Sequence, residues 1–184
     1  MDLSKARSQR GFTMIEVMLV VVIIGIISSI AIPYYTRMSA RAYRSEMLTT
    51  LSKMELYFKN IYENQGNYTN PSIVALSDVM PDPNNTVPVG QGADWKPTLT
   101  GGWNDLPFPP QGNIRMRYQY QVGVTNGSPS VTFTVCGNFP GFGGANIAFG
   151  SHGALCNYLY TEILTGTIVD AKNNVFESPP QAFE

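Results

Sequence analysis

Glu16 is the one charged side chain between Phe12 and Tyr35, inside an otherwise apolar run. A carboxylate held in hydrocarbon costs several kcal/mol unless it is paired, so this position asks for a cation or a functional demand. If the chain were cut between Gly11 and Phe12, the new α-amino group would lie about one helical turn from Glu16. Amine and carboxylate could then pair within one chain or between neighbouring chains.

The remaining residues able to do chemistry are few. Cys136 and Cys156 lie beyond the apolar run, and an even cysteine count in an exported segment suggests one disulfide. That bridge would close a loop of about 20 residues and stabilise by roughly 3 kcal/mol. The sole histidine, His152, sits in a glycine-rich stretch without a ligand cluster nearby, and no nucleophile and base constellation stands out, so neither an enzyme nor a cofactor or metal site is expected. Asp170, Asn173 and Asn174 could offer oxygens to calcium, but their loose spacing fits an ordinary turn better. The triplets beginning at Asn67, Asn84 and Asn126 match a glycosylation pattern that recurs by chance, and no function is assigned to them.

Around these residues, 184 positions with 43% hydrophobic side chains and net charge −1 favour one ordinary domain. The apolar side chains are concentrated near the N-terminus, where Phe12 to Tyr35 would span roughly 36 Å as a helix, enough for a bilayer. Before the run, Lys5, Arg7 and Arg10 against Asp2 place that end in the cytoplasm by the positive-inside rule. After it, Arg37, Arg41 and Arg44 form a short basic patch, read as a solvated or headgroup-facing surface and not as a nucleic-acid site. A conventional secretory signal cleaved after Ala31 fits poorly: the run is too long, Glu16 lies inside its start and the helical pattern continues past Pro33. An ordinary membrane anchor explains the length and the flanking charges but leaves Glu16 unexplained.

The segment Gly11-Phe12-Thr13-Met14-Ile15-Glu16-Val17-Met18, followed by an aliphatic run and Ala31-Ile32-Pro33, closely resembles type IV prepilins over about the first quarter of the chain. The resemblance implies that a prepilin peptidase cuts after Gly11, that Phe12 becomes N-methylated and that residues 1–11 are discarded as a leader. It also implies that Glu16 pairs with the amino terminus of an adjacent subunit during assembly. Such a pair in an apolar core would reward one axial register over others, in agreement with the electrostatic argument. Gly25, Ser28 and Ser29 are small enough to permit close helix approach. Pro33 removes one backbone donor; the resemblance implies a kink or melting point, while a simple bend at the membrane exit is the plainer reading.

Past Pro33, Met47, Leu51, Met54, Phe58 and Ile61 recur at steps of four and three, predicting a buried helical stripe. Glu55 and Lys59 form an i,i+4 pair away from that stripe, and Gln65-Gly66-Asn67 predicts the stop. The segments expected are therefore an apolar helix over 12–35, an amphipathic half over 36–64 and a Pro- and Gly-rich loop over 65–112, ordered in part by Trp95 and Trp103. An antiparallel sheet with the disulfide-closed loop follows over 113–184.

Ile114, Met116, Tyr118, Tyr120, Val122 and Val124 alternate with Arg115, Arg117, Gln119 and Gln121, predicting one long half-buried strand. After a turn at Asn126-Gly127-Ser128-Pro129 the alternation resumes through Val131, Phe133 and Val135, with further strands expected over 158–165 and 167–170. One sheet face on the helix stripe and the other toward solvent gives an α+β class, and with the resemblance a type IV pilin fold.

The function expected is a structural subunit of a type IV pilus, major or minor. Its partners would be other pilin subunits, prepilin peptidase and the assembly machinery. It would be a single-pass inner-membrane protein with a cytoplasmic N-terminus before assembly, and part of a surface pilus afterwards. A pseudopilin of a type II secretion system shares the leader and Glu16; a membrane-tethered binding module that never polymerises is the alternative from a different class.

Overall fold

The structure, a computed structural model, describes residues 11–69, 75, 77, 93–94, 113–139, 147–149, 154–169 and 175–178. The leader residues 1–10, most of the 65–112 loop with Trp95 and Trp103, and His152, Asp170, Asn173 and Asn174 lie outside the described residues. Two compact units, Met1–Thr36 and Arg37–Glu184, divide the chain. One helix, α1 (Met14–Gln65), contributes to both and runs unbroken through Pro33.

Within the second unit, Met47, Leu51, Met54, Phe58 and Ile61 are all buried, so the 3.6-residue periodicity did identify the core face. Ala40 and Thr50 join them on the buried side. The helix ends where Gly66 adopts φ 70° and donates its amide to the Tyr62 carbonyl at 2.7 Å, a left-handed cap that a side chain would strain. Asn67 then accepts from both the amide and the hydroxyl of Thr69, fixing the first residues of the exit.

Among the described residues the helix is followed by β1 (Ala93–Asp94), β2 (Asn113–Ile114), β3 (Arg117–Thr125), β4 (Ser128–Gly137), β5 (Ile147–Phe149), β6 (Ala154–Cys156), β7 (Tyr158–Thr165), β8 (Ile168–Val169) and β9 (Val175–Ser178). The main sheet is antiparallel, in the order β3-β4-β7-β8, with β9 also paired to β7; β1 pairs β2 and β5 pairs β6. Asn126 and Gly127 both have positive φ, which gives the tight hairpin between β3 and β4 the twist its strands need. This is an α+β arrangement of a long N-terminal helix on a small antiparallel sheet.

The sheet meets the helix through an aromatic cluster. Phe58 packs edge-on to Tyr120 at 5.1 Å and tilted against Phe133 at 5.5 Å, and it also touches Tyr68. Such pairs add to the area they bury. The outer edge of β3 is occupied by Ala75 and Ser77: the Ser77 amide donates to the Tyr120 carbonyl, and the Val122 amide to the Ala75 carbonyl. The Ser77 hydroxyl accepts from the Tyr120 amide as well. This segment closes an edge that would otherwise offer unpaired backbone groups.

Three sequence expectations need correction here. The strand anticipated from Ile114 to Val124 is broken at Arg115–Met116, because the Arg115 amide donates to Glu46 Oε1 at 2.9 Å and its guanidinium lies 5.1 Å above the Tyr43 ring. Helix contacts have replaced the ladder. Val124, expected inward, is 71% exposed: it pairs with Pro129 near the hairpin tip, beyond the last residues of the core. Arg117, expected toward solvent, is 2% exposed. It shares a sheet face with Cys136 and Leu159, where Phe149 and Cys156 build a second small core, so that end of the sheet is covered on both faces.

Phe58→Ala should lower the unfolding free energy by about 3–5 kcal/mol in denaturant titrations, since Phe58 is the helix residue that meets Tyr68, Tyr120 and Phe133 from outside the helix. A loss below about 1 kcal/mol would show that the aromatic cluster does not anchor the helix to the sheet.

Candidate functional site

In the first unit, Gly11, Phe12 and Thr13 precede the helix and are exposed, so the Gly11–Phe12 peptide bond lies outside regular structure. Phe12 is 87% exposed, and the large aliphatic side chains from Met14 through Ile32 are exposed on every face of the helix. None of its most apolar 18-residue window is buried, and the helix is long and apolar enough to cross a membrane.

The local setting of Glu16 went unrecognised in the sequence. The Thr13 amide and the Thr13 hydroxyl both donate to Glu16 Oε2 at 2.8 Å, and the Glu16 amide reaches back to the Thr13 hydroxyl at 3.3 Å. The Thr13 carbonyl accepts from the amides of Glu16 and Val17. Thr13-Met14-Ile15-Glu16 is therefore a capping box, with the threonine as N-cap and the glutamate three residues into the helix. Its Thr-x-x-Glu spacing was available as a signal. The box sets the start of α1 at Met14, two residues after the expected Phe12, and fixes the carboxylate at the helix entrance. Among the described residues both of its hydrogen bonds go to Oε2, which leaves Oε1 for a second partner.

At Pro33 the ring removes the amide that would have bonded the Ser29 carbonyl. Nearby hydroxyls form their own local bonds: Ser29 Oγ donates to the Ile26 carbonyl and Thr36 Oγ1 to the Pro33 carbonyl. The basic patch follows directly, with Arg37 and Arg41 exposed and Arg44 half-buried.

Cys136 and Cys156 are bonded, with Cα atoms 5.8 Å apart and a sequence separation of 20. Asn138 and Asn157 reinforce the same closure, which sequence reasoning did not anticipate. The Asn157 amide donates to the Asn138 side-chain oxygen at 2.8 Å, while the Phe139 amide donates to Asn157 Oδ1 at 2.9 Å. The loop is thus closed by a covalent bridge and an adjacent amide clamp. No group of three or more His, Cys, Asp or Glu able to hold a metal occurs among the described residues.

The family model for the prokaryotic N-terminal methylation motif matches residues 6–32, the stretch that contains Gly11, Phe12 and Glu16. The chain is similar to the type IV major pilin protein PilA of Myxococcus xanthus, 42% identical over 33% of this chain and 27% of that protein. It is also similar to a fimbrial protein of Neisseria meningitidis serogroup B, 36% identical over 39% of this chain and 44% of that protein. The matched segment thus spans less than half the length of these relatives. Against a type IV major pilin protein PilE1 of Neisseria gonorrhoeae, the similarity extends over 90% of this chain and 86% of that protein at 25% identity. No solved structure matches the chain. The N-terminal segment thus carries the prokaryotic N-terminal methylation motif, and the chain is similar to type IV major pilins.

Replacing both cysteines by serine should lower the unfolding free energy by about 3 kcal/mol, read from denaturant midpoints against the oxidised wild type. Equal midpoints would show that the amide clamp alone holds the loop closed.

Proposed function

We propose that this chain is a structural subunit of a type IV pilus, processed by prepilin peptidase and polymerised through its N-terminal helix. The observation that carries the proposal is a helix apolar on every face, exposed along its first half and opened by the Thr13–Glu16 cap. Removing each such aliphatic side chain from water contributes ~1.5–3 kcal/mol, and lipid before assembly or copies of the same helix afterwards would supply the cover. The role is structural, not catalytic. Relatives named as pilins and fimbrial proteins favour a pilus over a secretion pseudopilus.

In this reading the peptidase cuts between Gly11 and Phe12 on the cytoplasmic side of the inner membrane, and Phe12 is then methylated. The new amino terminus is one residue from Thr13, so the capping box survives the cut. Glu16 keeps Thr13 on Oε2 and offers Oε1 to the Phe12 amine of an adjacent subunit. Two interactions then use one carboxylate: one holds its geometry and the other sets the register of the neighbour. Pro33 provides the point at which the helix bends or loosens once it leaves the bilayer. Pilus assembly machinery moves the subunit from the inner membrane to the surface filament.

Glu16→Ala leaves a neighbour's amine unpaired in an apolar core, a defect of about 3 kcal/mol or more per contact. At equal expression its incorporation into sheared filaments should fall by about tenfold or more, while the unfolding midpoint of the second unit stays unchanged. Normal incorporation would contradict the pairing role.

A further inference from the structure

One buried carboxylate is placed where a hydrophobic residue would serve packing better. Along β7 the buried positions alternate as Tyr158, Tyr160, Glu162 and Leu164, so Glu162 points with its neighbours toward the helix. It is 4% exposed and lies opposite Phe133 of β4 in the antiparallel register. From its own strand, the Tyr160 hydroxyl donates to Glu162 Oε2 at 2.9 Å. From the helix it is met by Glu55, whose carboxyl lies within hydrogen-bonding reach, and by Lys59, which pairs with Glu55 Oε2 at 2.9 Å. Glu162 Oε1 is buried without a hydrogen-bond partner.

Two carboxylates side by side have four acceptor oxygens and no donor between them. Left ionised, they repel, and Oε1 stays unsatisfied in the core. A single proton removes both penalties, because a protonated carboxyl can donate to the other. We propose that Glu55 and Glu162 share one proton across the helix–sheet interface, making this contact a pH-responsive clasp that loosens when the proton is lost.

The electrostatics agree with the geometry. Burial pushes the Glu162 carboxyl up most strongly and Glu55 adds to the effect, while the Tyr160 hydroxyl and Lys59 oppose it, leaving Glu162 at about 7 against an ordinary 4.5. A folded-state value above the unfolded one means that the folded state binds the proton more tightly. The stabilisation is fully present below about pH 4.5, declines as pH rises between the two values and is gone above about 7.

The test is the unfolding equilibrium of the full-length protein in detergent micelles from about pH 5 to about pH 8. One linked proton predicts an unfolding constant that rises by up to about tenfold per pH unit until about pH 7 and then levels off. Glu162→Gln should flatten that rise, since its amide can donate to Glu55 and still accept from Tyr160. The exposed Glu63→Gln should leave the rise intact. A wild type that is flat over this interval, or a Glu162→Gln protein with the wild-type slope, overturns the proposal. If the variant fails to fold, carbon-13 titration of the wild-type glutamate carboxyls decides: one midpoint near neutrality supports the clasp, and all midpoints below about 5.5 overturn it.

Discussion

An apolar helical segment carrying Val, Ile, Leu and Met on every face cannot remain in water at the concentrations of a cell, and much of this molecule follows from that constraint. Among the described residues nothing buries those side chains; the exposure runs from Phe12 through Tyr35. In the proposed function the cover comes from lipid and then from neighbouring copies. Within such a cover any polar group has to be satisfied locally or across the contact, which is why the one carboxylate matters. Thr13 satisfies half of Glu16 and, in the proposed function, a neighbour satisfies the rest.

The second half of the same helix solves the problem differently. Its apolar residues are confined to one stripe, and the sheet buries that stripe through Phe58, Tyr120 and Phe133. One continuous α1 therefore carries two hydrophobic patterns, one exposed on every face and one confined to a stripe that the sheet buries. The sheet is held by its ladders, by the disulfide and its amide clamp, and by polar contacts such as Glu46 with Arg115. Glu55, Lys59 and Glu162 add a charged contact on the same interface, where burial makes each proton count.

Local patterns made part of this legible in the sequence. The Met47 to Ile61 stripe, the Gly66 stop, the Asn126-Gly127 turn and β7 all depend on short-range periodicity or on backbone conformations that only certain residues tolerate. Other features depend on contacts distant in sequence. Glu46 interrupts the predicted strand from 69 residues away, and the packing of β5 and β6 buries Arg117 on a face expected to be wet. β9 is four residues long and takes its place through pairing with β7, with no long alternation to announce it. The capping box is a different case: its Thr-x-x-Glu spacing is visible in the sequence, but a carboxylate in an apolar run fits a cation partner as well as a local cap.

The most direct test of the central claim is mass spectrometry of filaments sheared from the cell surface, searching for peptides from the N-terminus of this chain. A peptide that begins at N-methylated Phe12 in the filament fraction is the predicted result, and its abundance separates a shaft subunit from a scarce one. Protein found only in the cell envelope, with the Gly11–Phe12 bond intact, would contradict the account.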